Sequence, residues 1–237
     1  MYGEKVANAR PDELNYDQYE KKKYDHDIVR VIPGHEEVHK QIPRLLLGIN
    51  QKKPKILELG IGTGITADII LRRFPKAQYI GIDFSKNMLV GAQQRLEPYK
   101  PTLICADYAT CKWPIENDVI VSVISIHHQE TDRDKKKLFK KIYRHLAAGG
   151  IFIFGDLVTF EDKNTAAFNE ALHFHHLVEN ASSRKNLTEW AFHHKYLNCL
   201  APVEKQLQWL QQTGFEKVRL IYHRYNTVLI VANKGHL

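Results

Sequence analysis

Residues 56–70, ILELGIGTGITADII, set an apolar run, three glycines at alternate positions and a helical pattern in immediate succession. This strand-to-helix turn constrains the fold more than any other stretch. Gly60, Gly62 and Gly64 permit positive φ and let a ligand approach the backbone without meeting a Cβ. In an open parallel sheet, ligands bind beyond the carboxyl ends of the strands, where the strand order reverses. The remaining pattern fits that architecture. From Lys55 onward strand and helix signals alternate, which marks a parallel sheet with helices on both faces.

KILELGI, QYIGIDF, TLICAD, DVIVSVIS and IFIFGDLV read as five successive strands. Helices are expected through ITADIILRRF, from Lys86 to about Leu96, and over a lysine-rich stretch ending at Gly149 and Gly150. In that stretch Leu138, Phe139, Ile142 and Leu146 recur at helical spacing, which puts the lysines on the opposite, solvated face. Between about 159 and 201 no strand signal occurs, and histidines and aromatics crowd FNEALHFHHLVEN and EWAFHHKYL. This segment reads as a helical insertion over the sheet edge. A helix from Pro202 to Gly214 follows, then a hairpin closing around Tyr225 and Asn226. Ahead of the sheet, residues 1–24 read as a loose or helical arm, and helices broken near Pro33 and Gly34 come next.

Two strand ends beyond the glycine turn carry carboxylates. Asp83 ends the second strand and suits acceptance of hydrogen bonds from both hydroxyls of a ribose. Asp107 ends the third and suits an adenine amino group, with Met88 and Tyr108 as apolar cover for the base. The turn lacks the third-glycine spacing of a dinucleotide site, and Glu58 lies in the preceding strand.

ELGIGTG, GIDFSKNML, CADYAT and DVIVSVISIHH followed by LAAGGIFIFGD resemble the successive motifs of class I S-adenosylmethionine-dependent methyltransferases. The resemblance implies an α/β, Rossmann-like fold: a seven-stranded, mostly parallel sheet with an antiparallel last strand, plus a helical cap insertion. It divides the chain into an N-terminal helical arm or lid, 1–50, and a methyltransferase domain, 51–237, with the insertion at about 159–201. It also implies S-adenosylmethionine as cofactor and S-adenosylhomocysteine as product. The expected cofactor site is Gly60, Gly62, Asp83, Phe84, Asp107 and Tyr108, with Ser122 and Val123 nearby. Glu58, Gly64, Met88 and His35 complete the candidate set.

Within that class, IVRVIPGHEEVHKQI and FEDKNTAAFNEALHFHHLVEN look like carboxy-S-adenosylmethionine synthase and its relatives. Three departures favour ordinary methyl transfer. That family's first motif has a serine where Gly62-Thr63 begins here, and its tyrosine after Pro-Gly is His35. Its arginine for the added carboxylate falls near Ala191, and no arginine occurs from Asn186 to Pro202. A second carboxylate would lack its cationic partner.

The protein must then align a nucleophile with the methyl group and, where needed, remove a proton. His127 and His128, after the fourth strand, are the catalytic candidates because a near-neutral imidazole suits that task. Asp156 and the insertion's His173, His175, His176, His193 and His194 are candidates for holding the acceptor. No metal is expected, although His175 and Glu179 stand four apart.

The expected acceptor is a small molecule, methylated at O, N or C, by a monomer or homodimer. RNA is the rival acceptor, suggested by the net charge of +7. Two further rivals are a carboxy-S-adenosylmethionine synthase activity and a non-catalytic cofactor-binding module. No apolar run has the length of a membrane span, and the polar N-terminal stretch points to a cytoplasmic protein. Cys105, Cys111 and Cys199 form no CxxC pair and are expected as buried, reduced thiols.

Overall fold

The structure is a computed structural model that describes residues 21–114 and 116–235. Residues 1–20 of the expected N-terminal arm therefore lie outside the described residues. Seven strands form one sheet: β1 (Lys55–Leu59), β2 (Gln78–Asp83), β3 (Thr102–Cys105), β4 (Asn117–Val123), β5 (Leu146–Leu157), β6 (Glu216–Arg224) and β7 (Thr227–Asn233). Their order is β3-β2-β1-β4-β5-β7-β6. All neighbouring pairs from β3 to β5 are parallel, and β7 runs antiparallel to both β5 and β6. The last strand is antiparallel, as the sequence led one to expect. The chain steps outward from β1 to β3 and then returns to β4 on the other side of β1. That reversal opens a crevice between the ends of β1 and β4.

The central strands are apolar almost throughout because both of their faces are covered. On one face α5 (Asp132–His145) and α8 (Val203–Thr213) set Leu138, Phe139, Ile142, Trp209 and Leu210 against Phe152 and Phe154. On the other, α2 (His35–Leu45), α3 (Ile65–Arg73) and α4 (Lys86–Arg95) pack Val38, Ile42, Ile70 and Leu89 on Val119, Val121 and Ile153. Side-chain caps begin several helices: Ser85 accepts from Met88 N, and Thr131 from Asp134 N. Each satisfies a backbone donor that the first turn leaves unpaired.

Helix α1 (Lys21–Val31) precedes the Pro33-Gly34 break, and Gly34 at φ 74 makes the turn into α2. Segment 159–201 holds α6 (Lys163–Asn180), α7 (Arg184–Phe192) and a π turn over His193–Leu197. Arg30 of α1 donates to the Asn180 carbonyl and lies 5.7 Å over the Trp190 ring, tying α1 to both helices.

Three expectations need correction. The lysine-rich helix ends at His145, not at Gly149-Gly150, because Asn117 Nδ2 donates to the His145 carbonyl at 2.9 Å and Leu146 turns extended. The glycines belong to an irregularity in β5 between the Asn117–Leu146 and Val119–Ile151 pairs. Lys135 does not lie on the solvated face. It shares the stripe of Leu138, Phe139 and Ile142, is 2% exposed, and donates to the Gln129 carbonyl. Finally, Cys105 is exposed on edge strand β3, and Cys111 and Cys199 are half-buried. No helix among the described residues is long and apolar enough to cross a membrane.

Candidate functional site

The glycine turn closes directly over the sheet. Gly60 N and Ile61 N donate to the Ile82 carbonyl, at 2.8 and 3.1 Å. All three glycines have positive φ, and a Cβ on Gly60 or Gly64 would also meet a neighbouring side chain. A Cβ on Gly60 would stand 2.1 Å from Ser125 Oγ, whereas one on Gly62 would meet nothing within 4 Å. Gly62 therefore presents bare backbone to open space, and a side chain there would project into it. Gly60→Ala combines left-handed strain with a clash, so we expect a loss of about 1–3 kcal/mol in urea unfolding.

Asp83 organises this turn. One carboxylate oxygen accepts from Gly62 N at 2.8 Å and the other from Ser85 N at 2.9 Å. The cleft above it has a volume of about 640 Å³. It gathers Gly60, Gly62, Asp83, Phe84, Met88, Val123, His35 and His128 from the candidate set. Helix α1 supplies Tyr24 and Ile28 to the same wall, which sequence reasoning missed. Asp25 of α1 reaches across to Arg95 and accepts from the Thr63 hydroxyl, each at 2.5 Å, so the arm is fastened to the turn.

The other candidates lie around the cleft rather than along it. Ser122 Oγ donates to the Leu59 carbonyl at 2.9 Å and binds β4 to β1 beneath the turn. Gly64 caps α3 against Leu96. Tyr108 is buried behind Gly60, its hydroxyl donating to the Ser125 carbonyl at 3.1 Å. Asp107 accepts from Ala109 N at 2.7 Å and faces a separate depression beside Lys137 and Lys141.

Glu58 is fully enclosed and accepts from the Tyr79 hydroxyl at 2.7 Å. Burial pushes its carboxyl up to about 8 from 4.5. The folded protein thus keeps a proton that the unfolded chain releases, so this group's stability contribution is complete below about pH 4.5 and disappears as pH rises through about 8. Glu58→Gln should flatten that fall, read as a smaller stability difference between pH 5 and pH 8 in urea titrations.

The histidines flank the crevice in two groups. His39 Nδ1–H donates to the His35 carbonyl at 2.8 Å, and its Nε2 accepts from the Thr66 hydroxyl at 3.1 Å. Burial, then the neighbouring His39, brings the His35 imidazole down to about 3. His127 and His128 form one turn after β4, their rings 4.1 Å apart, but face different spaces. His128 lines the glycine cleft. His127 lines a second cavity of about 700 Å³ beneath α1, α6 and α7.

His127 Nδ1 is hydrogen-bonded to Asp156 Oδ1, and both residues are at most 2% exposed. Burial raises the Asp156 carboxyl to about 8 and lowers the His127 imidazole to about 3. The second cavity also takes in His173, His193, His194, Trp190 and Asn198, whereas His175 and His176 lie outside it. His175 instead faces Glu179 at 3.4 Å as an exposed pair. No group of three metal-ligating side chains is found among the described residues.

The two cavities share Tyr24, Ile28 and Ile124. Ile124 sits at φ 52, where a β-branched side chain is strained, with its N–H held by the Gly155 carbonyl at 2.7 Å. Strain of this kind concentrates at functional sites. Sequence reasoning flagged His127 and Asp156 separately, without their pairing. It missed Lys135, although that residue's spacing to Leu138 and Ile142 carried the signal.

The family model described as "Methyltransferase domain" matches residues 56–150, which span the glycine turn, Asp83 and both candidate catalytic histidines. Over that segment the chain is similar to the class I S-adenosylmethionine-dependent methyltransferases. It is 27% identical to a carboxy-S-adenosyl-L-methionine synthase of Trichodesmium erythraeum, over 90% of this chain and 86% of that protein. It is 32% identical to a malonyl-[acyl-carrier protein] O-methyltransferase of Bacillus cytotoxicus, over 63% of this chain and 50% of that one. The chain thus spans only half the length of that relative. Phosphoethanolamine N-methyltransferase 2 of Haemonchus contortus, solved with S-adenosyl-L-methionine, shares the fold. Its TM-score is 0.66 at 18% identity, covering 95% of this chain and 60% of that one.

Methyltransferases of this kind use S-adenosylmethionine as cofactor, and the glycine cleft fits it. Bare backbone at Gly62 faces a space that any side chain would fill, beside a carboxylate at the strand end.

Proposed function

We propose that the protein transfers a methyl group from S-adenosylmethionine to a small molecule held under the helical cap. The observation that carries this reading is the pair of adjoining cavities, one on the glycine turn and one lined by His127, sharing a wall at Ile124. Asp83 would hold the ribose hydroxyls, Phe84 and Met88 the adenine face, and the bare backbone of Gly60 and Gly62 the amino-acid portion. When bound, the cofactor supplies a methyl group on a sulfonium, a good leaving group.

The chain's own residues do the rest. Asp156 occupies His127 Nδ1, so Nε2 is the ring nitrogen left to take a proton from the acceptor. Helices α1, α6 and α7 cover the second cavity and exclude water from it. Arg30 joins them, and Asp25 fastens α1 to the glycine turn. In this reading residues 1–50 and the insertion act together as one cap, and the enzyme works in the cytoplasm.

A carboxy-S-adenosylmethionine synthase reaction would put a second carboxylate at the cofactor. Neither cavity is lined by a described lysine or arginine to receive it, which favours plain methyl transfer. The test is incubation with methyl-labelled S-adenosylmethionine and a cell extract split into small-molecule and RNA fractions. Label in the small-molecule fraction supports the proposal, and label confined to RNA refutes it.

A further inference from the structure

We propose that the cavity beneath the helical cap takes a small organic amine, bound as its ammonium ion, rather than an anionic acceptor. This deepens the methyl-transfer reading and rests on it for the word acceptor. The preference for a cation follows from the cavity itself.

Charge is the first argument. Lysine and arginine outnumber the acidic residues of the whole chain by 34 to 27, yet no described lysine or arginine lines this cavity. Asp27 of α1 and Glu189 of α7 do line it. The nearby cations are committed elsewhere. Arg30 donates to the Asn180 carbonyl, and Lys135 to the Gln129 carbonyl. Lys185 lies 3.9 Å from Glu189 on the solvent side, itself 88% exposed. An anion entering this space would meet two carboxylates and no counter-ion, which is costly in a partly dry site.

Hydrogen-bonding capacity is the second, independent argument. His173 is completely buried, and neither of its ring nitrogens has a partner. His194 Nε2 donates to Glu170, 3.1 Å from either carboxylate oxygen, which leaves its buried Nδ1 unpartnered. Asn198 Oδ1 is buried and unpartnered as well. An amide oxygen can only accept, and a neutral imidazole always keeps one accepting nitrogen. Burial keeps the His173 ring neutral.

Each such orphan destabilises the folded chain until a ligand or water satisfies it. An ammonium ion carries donors only, so it matches the acidic wall, His194 Nδ1, Asn198 Oδ1 and the accepting nitrogen of His173, whose other nitrogen keeps its N–H. His127 Nε2 then takes the proton that the nitrogen must lose, the N–H electron pair remaining on nitrogen as the nucleophile.

The test is calorimetric titration of the intact protein, with and without saturating S-adenosylhomocysteine. The probes are tyramine and butylamine, each matched with its carboxylate counterpart, 3-(4-hydroxyphenyl)propanoate or pentanoate. At least one amine should bind 10-fold or more tightly than its counterpart. Glu189→Gln and Asp27→Asn, both at partly exposed positions, should each erode that preference while circular dichroism stays unchanged. Equal or tighter binding of the carboxylates overturns the proposal, as does absence of binding by both amines. A preference that survives both substitutions does so too. S-adenosylhomocysteine binding is read separately, so its failure would strike the cofactor cleft, whereas its success with no amine bound would strike only this inference.

Discussion

Replacing His127 with Asn should lower kcat about 10²- to 10⁴-fold, the range that a positioned general base contributes, while S-adenosylhomocysteine affinity changes less than threefold. The expectation separates two adjacent histidines. His127 lines the second cavity, and its Nδ1 is held by Asp156. His128 lines the glycine cleft and sits 3.3 Å from the Leu197 carbonyl through its own Nδ1. His128→Ala should therefore weaken cofactor binding more than it slows the methyl-transfer step. Single-turnover kinetics on the acceptor found by labelling, together with cofactor titration, resolves the two effects.

The pH profile supplies an independent check. Burial holds the Asp156 carboxyl up at about 8. Below that pH the His127–Asp156 pair retains an extra proton and His127 Nε2 has no lone pair to offer. As pH rises through about 8 the pair loses that proton, and kcat should climb with it. Asp156→Asn keeps an oxygen for the Leu157 N–H, which the carboxylate now accepts at 3.0 Å. It cannot receive the Nδ1 proton as a carboxylate does, so the rise with pH should vanish along with most of the rate. An unchanged pH profile in Asp156→Asn would show that the pair serves only to hold the insertion, through Cys199 N and the His127 carbonyl at 2.9 Å.

The parts of this molecule that can be read from sequence are those governed by local periodicity. Alternating strand and helix signals, the three glycines and the carboxylate of Asp83 all act within a few residues of backbone, so the sheet and the turn were legible. Lys135 illustrates where the reading fails. Its charge suggested solvent, but position on the helix outweighed it, and the stripe of Leu138, Phe139 and Ile142 carries it inside toward the Gln129 carbonyl. The cap shows a different limit. The clustered histidines of the insertion suggested a pocket, yet which of them enter it depends on how α1, α6 and α7 pack. His173 and His194 stack 4.0 Å apart inside, and His175 points outward, a sorting that sequence spacing did not reveal. Asp107 likewise looked equivalent to Asp83 by position at a strand end. Both of its carboxylate oxygens are taken within the following loop, by Ala109 N and the Thr110 hydroxyl, whereas Asp83 reaches across to Gly62 N.

Asp83→Ala should weaken S-adenosylhomocysteine binding about 10- to 100-fold and also lower stability. The affinity loss is what removing a charged hydrogen-bond partner costs, about 1.5–3 kcal/mol. The stability loss has a separate origin. Gly62 N–H and Ser85 N–H both donate to this carboxylate, so alanine leaves two donors at a turn with positive φ on either side of Gly62. Asp83→Asn distinguishes the two contributions. The amide oxygen can keep one of the backbone donors, but its NH₂ group faces the other donor and cannot accept from it. The variant should therefore recover part of the stability and little of the cofactor affinity. Equal affinity in the wild-type protein and both variants, measured by calorimetry, would mean that Asp83 shapes the glycine turn without touching the ribose.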